Sequence, residues 1–212
     1  MMKKLESKEL SDMIARIFNG TEKDRRLDIG SGGKNADYIT IDKHGDADIT
    51  GDIRCCFAPV YRDYKKYKQL KNIKKNFYTF VQMSHIVEHV EWIYQQWMMD
   101  WVYSLVADGG WIYITTPNLA WIVDQYTLRD ESLVLEHPDL EGDPGDFVYW
   151  VNFKLYSGSS TNSFKDGRTD GDFHLCMYDA ELMERVLTKA GFIDIHIAED
   201  EALMCVARRA VI

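Results

Sequence analysis

Two glycines and three aspartates in the first quarter of the sequence have types and spacing suited to gripping a ligand at the ends of successive strands. Arg26-Leu27-Asp28-Ile29 reads as a short strand running into Gly30-Ser31-Gly32-Gly33. Glycines there let backbone approach a ligand, and such strand ends border a crevice. Tyr38-Ile39-Thr40-Ile41-Asp42 reads as a second strand ending on an acid, where a carboxylate can accept hydrogen bonds from a ribose diol. Near Ala47-Asp48-Ile49-Thr50 a third short strand is followed by Gly51-Asp52-Ile53. There Asp52 can accept from an adenine amino group, and the Ile53 N–H can reach a ring nitrogen. One such acid is ordinarily a turn residue; three in series mark a binding edge.

Histidines make the second constellation. His85-x-x-Glu88-His89 fits the H-x-x-E-H pattern of inverted zinc peptidases, in which two histidines on one helical face bind zinc and a glutamate activates water. Here the pattern follows a strand and opens a helix, and the three acids would be left without a role, so no metal is expected and zinc hydrolysis stands as the rival reading. Glu88 and His89 also suit a purely structural part at the helix start. His85, near a strand end, and His174, in a late loop with Tyr178 nearby, are the candidates for removing a proton from a substrate.

A dinucleotide fingerprint would need a third glycine where Asn35 stands and a helix N-terminus for the pyrophosphate, and both are missing. A ligand with an amino acid end, an adenosine end and no pyrophosphate is S-adenosylmethionine. Leu27-Asp28-Ile29-Gly30-Ser31-Gly32, Ile41-Asp42, Gly51-Asp52-Ile53-Arg54 and Met83-Ser84-His85-Ile86-Val87-Glu88-His89 resemble the successive motifs of class I S-adenosylmethionine-dependent methyltransferases. More narrowly they resemble a bacterial and phage group with a short first crossover, an S-H-x-L-E-H segment and a late D/N-F-H motif, here Asp172-Phe173-His174 before Ala190-Gly191-Phe192. The resemblance implies that Asp28, Gly30, Ser31 and Gly32 line the methionine end, Asp42 the ribose, Asp52 and Ile53 the adenine, and that Met83, Ser84 and His85 border the sulfonium. A cofactor-binding module without catalysis is the remaining alternative, kept open by the short first crossover.

The elements that must position these residues follow from hydrophobic period. Leu10, Met13, Ile14, Ile17 and Phe18 predict an N-terminal helix closed by a left-handed Asn19-Gly20. Only residues 30–37 separate the first two strands, too few for the usual helical crossover. Phe77 to Met83 predicts a buried strand. From Glu88 onward Val90, Ile93, Trp97, Trp101 and Leu105 predict one buried face of a long helix that Gly109-Gly110 stops, and Trp111 to Thr116 predicts the next strand. Short helices are expected at Leu119 to Leu128 and Phe147 to Tyr156. Asp179 is expected to cap a last helix ending at Gly191, ahead of a hairpin of Phe192 to Ile197 and Ala202 to Arg208. The fold expected is α/β and Rossmann-like, mostly parallel, with a C-terminal antiparallel hairpin. Residues 1–212 form one domain in this reading, with residues 1–20 as its first helix and 118–176 as a substrate-side insertion.

Charge narrows the partners. With 34 acidic against 25 basic side chains the net charge is -9, which opposes binding to nucleic acid or an anionic membrane. Arg62 to Lys75 is the strongly basic stretch, with Tyr64, Tyr67, Leu70 and Ile73 interleaved; it suits a solvated helix or a phosphate-bearing partner. Cys55, Cys56, Cys176 and Cys205 form no C-x-x-C pair, and the polar N-terminus carries no apolar signal region, so reduced thiols and a cytoplasmic setting are expected. A small-molecule or carbohydrate-like methyl acceptor is the partner expected, rather than duplex nucleic acid.

Overall fold

The structure is a computed structural model that describes residues 2–43, 46–61, 68–128 and 174–211, with Val151 and Leu155. Residues 62–67 of the basic stretch, most of the expected insertion with its Phe147 to Tyr156 helix, and Asp172-Phe173 lie outside the described residues.

Among the described residues, eight strands form one sheet in the order β1-β7-β8-β6-β5-β2-β3-β4. They are β1 (Lys3–Lys4), β2 (Arg26–Ile29), β3 (Ile39–Asp42), β4 (Ile49–Thr50), β5 (Tyr78–Ser84), β6 (Val106–Pro117), β7 (Phe192–Glu199) and β8 (Ala202–Arg209). Pairs β2–β3, β2–β5, β3–β4 and β5–β6 are parallel, and β8 runs antiparallel to both β6 and β7. The expected hairpin is therefore present, and its second strand inserts between its first strand and the parallel part. The unforeseen β1 pairs in parallel with β7 and extends the sheet edge.

The central parallel strands β2, β5 and β6 are largely buried and rich in apolar residues, as covering both faces demands. Leu27, Ile29, Ile41, Phe80, Val81, Met83, Ile112 and Ile114 are fully buried. Along β8 the alternation splits the core. Leu203, Cys205 and Ala207 face the main cluster, while Met204 and Val206 meet Leu10 of α1 (Ser7–Asn19). Strand order reverses about β2: β3 and β4 follow on one side, β5 and β6 on the other. In an open parallel sheet the crevice lies at such a switch point, beyond the carboxyl ends of the strands.

No helix joins β2 to β3. The short crossover is a turn built on Asn35, whose side-chain oxygen accepts from Asp37 N–H at 3.1 Å and whose carbonyl accepts from Tyr38 N–H at 3.2 Å. α2 (Arg54–Phe57) is a single turn, and α4 (Leu119–Leu128) matches expectation. α5 (Ala180–Ala190) is capped as expected, with Leu182 N–H donating to the Asp179 carboxylate at 2.8 Å and Gly191 left-handed at φ 103°.

Three expectations are corrected. Gly20 has φ -83° and is not left-handed. The helix end is satisfied instead by Thr21 Oγ1 donating to the Ile17 carbonyl and by the Arg26 guanidinium, which donates to the Phe18 carbonyl from above the Phe18 ring. The long helix after β5 is interrupted: Val87–His89 and Trp92–Tyr94 are 3₁₀ turns, and α3 spans only Gln95–Leu105. A 3₁₀ turn advances three residues per revolution, so the buried stripe shifts phase to Gln95, Met98, Met99, Val102 and Leu105. Ile93 and Trp97 are left 52% and 46% exposed. Finally, Leu105 rather than Gly109-Gly110 ends α3. Gly109, at φ 73°, lies in β6 where pairing with β5 changes register between Tyr78 and Phe80.

Candidate functional site

At the carboxyl ends of β2, β3 and β5 lies a cleft of about 320 Å³, bordered by Gly30, Gly32, Asp42, Asp52, Ile53 and His85 among others. Gly30 leaves β2 at φ 79° with its N–H donating to the Ile41 carbonyl at 2.7 Å. A Cβ there would lie 1.9 Å from Ile86 Cδ1, so the turn after β5 closes onto a position only glycine can occupy. Gly32 N–H donates to Asp42 Oδ2 at 2.7 Å, which ties the acid at the end of β3 to the glycine turn. Ser31 Oγ donates to the Gly33 carbonyl at 2.6 Å.

Asp28 is only 5% exposed although it sits in the middle of a parallel strand. Burial pushes its carboxyl up to about 6, a hydrogen bond from Asn35 pulls the other way, and the neighbouring charge of Asp42 adds to the rise. Asp28 thus organises the crossover turn from beneath. The asparagine that stands in place of a third glycine is its partner.

Asp52 is 8% exposed and is held by its own neighbour. Arg54 Nε donates to Oδ1 at 3.0 Å, Nη2 to Oδ2 at 2.6 Å, and the Arg54 N–H to Oδ1 at 3.0 Å. Burial acts to raise the Asp52 carboxyl, but the Arg54 hydrogen bonds and charge outweigh it and leave it below the ordinary range. The guanidinium lies 4.3 Å from the centre of the Tyr61 ring, and Tyr61 in turn donates to Glu91. Arg54 is a cleft residue that sequence reasoning gave no role; its place two residues after Asp52, within reach of that carboxylate, is the signal that was there.

β5 delivers the next residues. Met83 is fully buried in the core, and the Ser84 hydroxyl is 2.9 Å from that of Thr115, so these two support the strand end while His85 and Ile86 border the cleft. His85 keeps one sheet bond, its N–H to the Thr115 carbonyl at 2.9 Å, and then turns at φ 52°. A left-handed non-glycine persists only where its surroundings enforce it. His85 Nδ1 lies 3.1 Å from Oε1 of Glu88, which is 0% exposed and takes Thr116 Oγ1 at 3.2 Å on Oε2.

The segment 85–89 is a strand end plus a 3₁₀ turn, so His85 and His89 do not share a helical face as the peptidase pattern requires. His89 meets His174 instead, ring centres 5.3 Å apart, and ligand atoms of Glu88, His89 and His174 all lie within 4.8 Å of one another. The Glu88 carbonyl holds them together by accepting from Leu175 N–H at 2.6 Å and Cys176 N–H at 3.1 Å. Behind the turn, Gln95 Nε2 donates to the Val87 and Val90 carbonyls, and buried Tyr178 donates to Gln95 Oε1. Tyr178 is thus a support, and burial drives its hydroxyl well above the ordinary phenol range.

A mostly parallel sheet with an antiparallel strand between its last two members, and a cleft over the glycine turn, define a Rossmann-like α/β methyltransferase fold. The chain belongs to the family described as Methyltransferase domain, which matches residues 2–197. A SAM-dependent methyltransferase from Archaeoglobus fulgidus shares the fold at 16% identity and TM-score 0.50, the match covering 96% of this chain and 95% of that one. One from Mesorhizobium loti aligns at 13% identity and TM-score 0.48, over 92% and 96% of the two chains. Phosphoethanolamine N-methyltransferase 2 of Haemonchus contortus, solved with S-adenosyl-L-methionine, aligns at 13% identity and TM-score 0.48, over 96% of this chain and 53% of that one. The chain thus spans about half the length of that protein, and 49% of the CurJ carbon methyltransferase. No curated protein matches the sequence.

Proposed function

We propose that this chain transfers a methyl group from S-adenosylmethionine to a small or carbohydrate-like acceptor, as one domain over residues 1–212 with 118–176 on the acceptor side. Within the family we assign it to the group with the short first crossover and S-H-x-L-E-H segment, here with Val87 in the leucine position. The observation that carries the reading is the 2.7 Å bond from Gly32 N–H to Asp42, which joins the glycine turn to the acid at the next strand end inside one cleft.

The residues fit the cofactor. Gly30, Ser31 and Gly32, with Asp28 beneath them, form the turn for its amino acid end; Asp42 is placed for the ribose, and Asp52 and Ile53 for the adenine. Met83 and Ser84 hold the end of β5 in register, which sets where His85 stands. Because Arg54 already meets both Asp52 oxygens, an adenine amino group must share that carboxylate with the guanidinium. When bound, the cofactor supplies a methyl group on a sulfonium, and alignment is then most of the catalysis. His85 is the general base in this reading: buried Glu88 orients its ring through Nδ1, and the residue borders the cleft where the acceptor's proton must be taken.

Calorimetry with S-adenosylhomocysteine tests the cofactor assignment. The wild type is expected to bind, and Asp42→Ala to bind about 10- to 150-fold more weakly, the loss of a charge-assisted hydrogen bond of about 1.5–3 kcal/mol. A wild type that does not bind, or an Asp42→Ala affinity within twofold of wild type, rejects it.

A further inference from the structure

We propose that Glu88, His89 and His174 form a site for one first-row divalent cation, whose remaining coordination positions take hydroxyl oxygens of the acceptor. This rests on the methyltransferase reading and names the chemistry of its acceptor.

Two imidazoles and one carboxylate are the donor set of open, three-ligand sites for zinc and its first-row neighbours. Ions bound by such ligands at about 2.1 Å place the ligand atoms about 3–3.5 Å apart. Gathering atoms already within 4.8 Å of one another is therefore a side-chain adjustment. Glu88 and His89 are neighbours in the chain and His174 comes from far along it, and a dedicated clamp brings it to them: Leu175 and Cys176 N–H donate to the carbonyl of Glu88 itself.

The surroundings have the form that metal sites need. Glu88 is fully buried, and its carboxylate is oriented by His85 on one oxygen and Thr116 on the other, the kind of outer support whose loss commonly costs 10–100-fold in metal affinity. Gln95 and Tyr178 stiffen the turn from behind. His89 also borders the cleft, beside His85 and Val90, so a cation held there stands at the wall of the space assigned to the methyl donor. A hydroxyl bound to the cation would give up its proton more readily, with His85 as its acceptor and the oxygen retained on the cation as an alkoxide. Two or more open positions favour acceptors that offer adjacent oxygens, such as a vicinal diol or a hydroxyl beside a carbonyl.

Chelator-treated protein titrated with cobalt(II) chloride gives a readout independent of turnover. A visible ligand-field band saturating at one equivalent is expected, with at least tenfold weaker cobalt binding in His89→Ala and in His174→Gln, and a change in the band when acetohydroxamate supplies two oxygens. Affinity for S-adenosylhomocysteine, measured on the same samples, is expected to stay within threefold in His174→Gln, which shows that the variant is folded. No band in the wild type, or a band of unchanged affinity in both variants, overturns the metal site. A band that acetohydroxamate leaves unchanged overturns the open positions. Binding of S-adenosylhomocysteine without a cobalt band rejects this inference and leaves the methyltransferase reading standing; a cobalt band without S-adenosylhomocysteine binding rejects that reading and the acceptor's place in this inference, and leaves the cation site alone standing.

Discussion

Single residues in this cleft carry two kinds of duty, and Asp28 separates them. Its place before the glycines is legible in the sequence, but its burial and its partner Asn35 are not, because the turn that brings Asn35 over it has no regular period. The consequence is a pH dependence. In the unfolded chain Asp28 titrates near 3.8, whereas in the fold it keeps its proton up to about 6. Between those values the folded state binds the extra proton, so this group's contribution to stability is present below the lower value and is lost as pH rises through the upper one. Asp28→Asn, which carries no charge at either end of that window, is expected to gain in thermal midpoint relative to wild type between about pH 4 and about pH 6.5 and to hold a constant lead above it. A lead that shrinks over this window would contradict the assignment.

At the scale of elements, the turn between β5 and α3 decides most of the site. The motif was visible in the sequence as S-H-I-V-E-H-V, yet a continuous helix through it would place His85 and His89 on one face. Two 3₁₀ turns break that continuity, and Gln95, a polar residue on the buried side of α3, is what they need: it caps the Val87 and Val90 carbonyls and is itself met by Tyr178. A lone glutamine offers no signal for such a part. Tyr178→Phe removes the hydroxyl and leaves a buried amide oxygen without that donor, so denaturant unfolding is expected to show a loss of about 1–3 kcal/mol. A change below about 0.5 kcal/mol would show that the bond contributes little, as is usual for exposed substitutions.

For the whole molecule, charge and cavity placement argue together. The net charge of -9 repels a polyanion. The described part of the basic stretch does not reach the cleft: Lys71 and Lys75 border a separate hollow of about 190 Å³ with Cys55 and Cys56, and Lys74 lies 4.0 Å from the centre of the Phe77 ring. Burial holds the Cys56 thiol up to about 12, so Cys56 is not a thiolate at neutral pH. Replacing Lys71, Lys74 and Lys75 together by glutamine is expected to leave affinity for S-adenosylhomocysteine within twofold. Wild-type protein is expected to show no saturable binding to labelled duplex DNA at physiological salt. Micromolar binding with a steep salt dependence would overturn the small-acceptor reading. Among the described residues no helix is long and apolar enough to cross a membrane.

The sequence by itself determined the strands of the parallel core, the glycine turn, the order of the three acids, the capped last helix and the final hairpin. Each of these is written in local terms: apolar runs of strand length, glycines at strand ends, an aspartate at an N-cap. Only the tertiary structure decided that α3 turns a different face inward, that Lys3–Lys4 adds an edge strand, and that His174 joins Glu88 and His89. These depend on contacts between residues distant in the chain or on a change of helical phase, and neither leaves a period or a spacing to read.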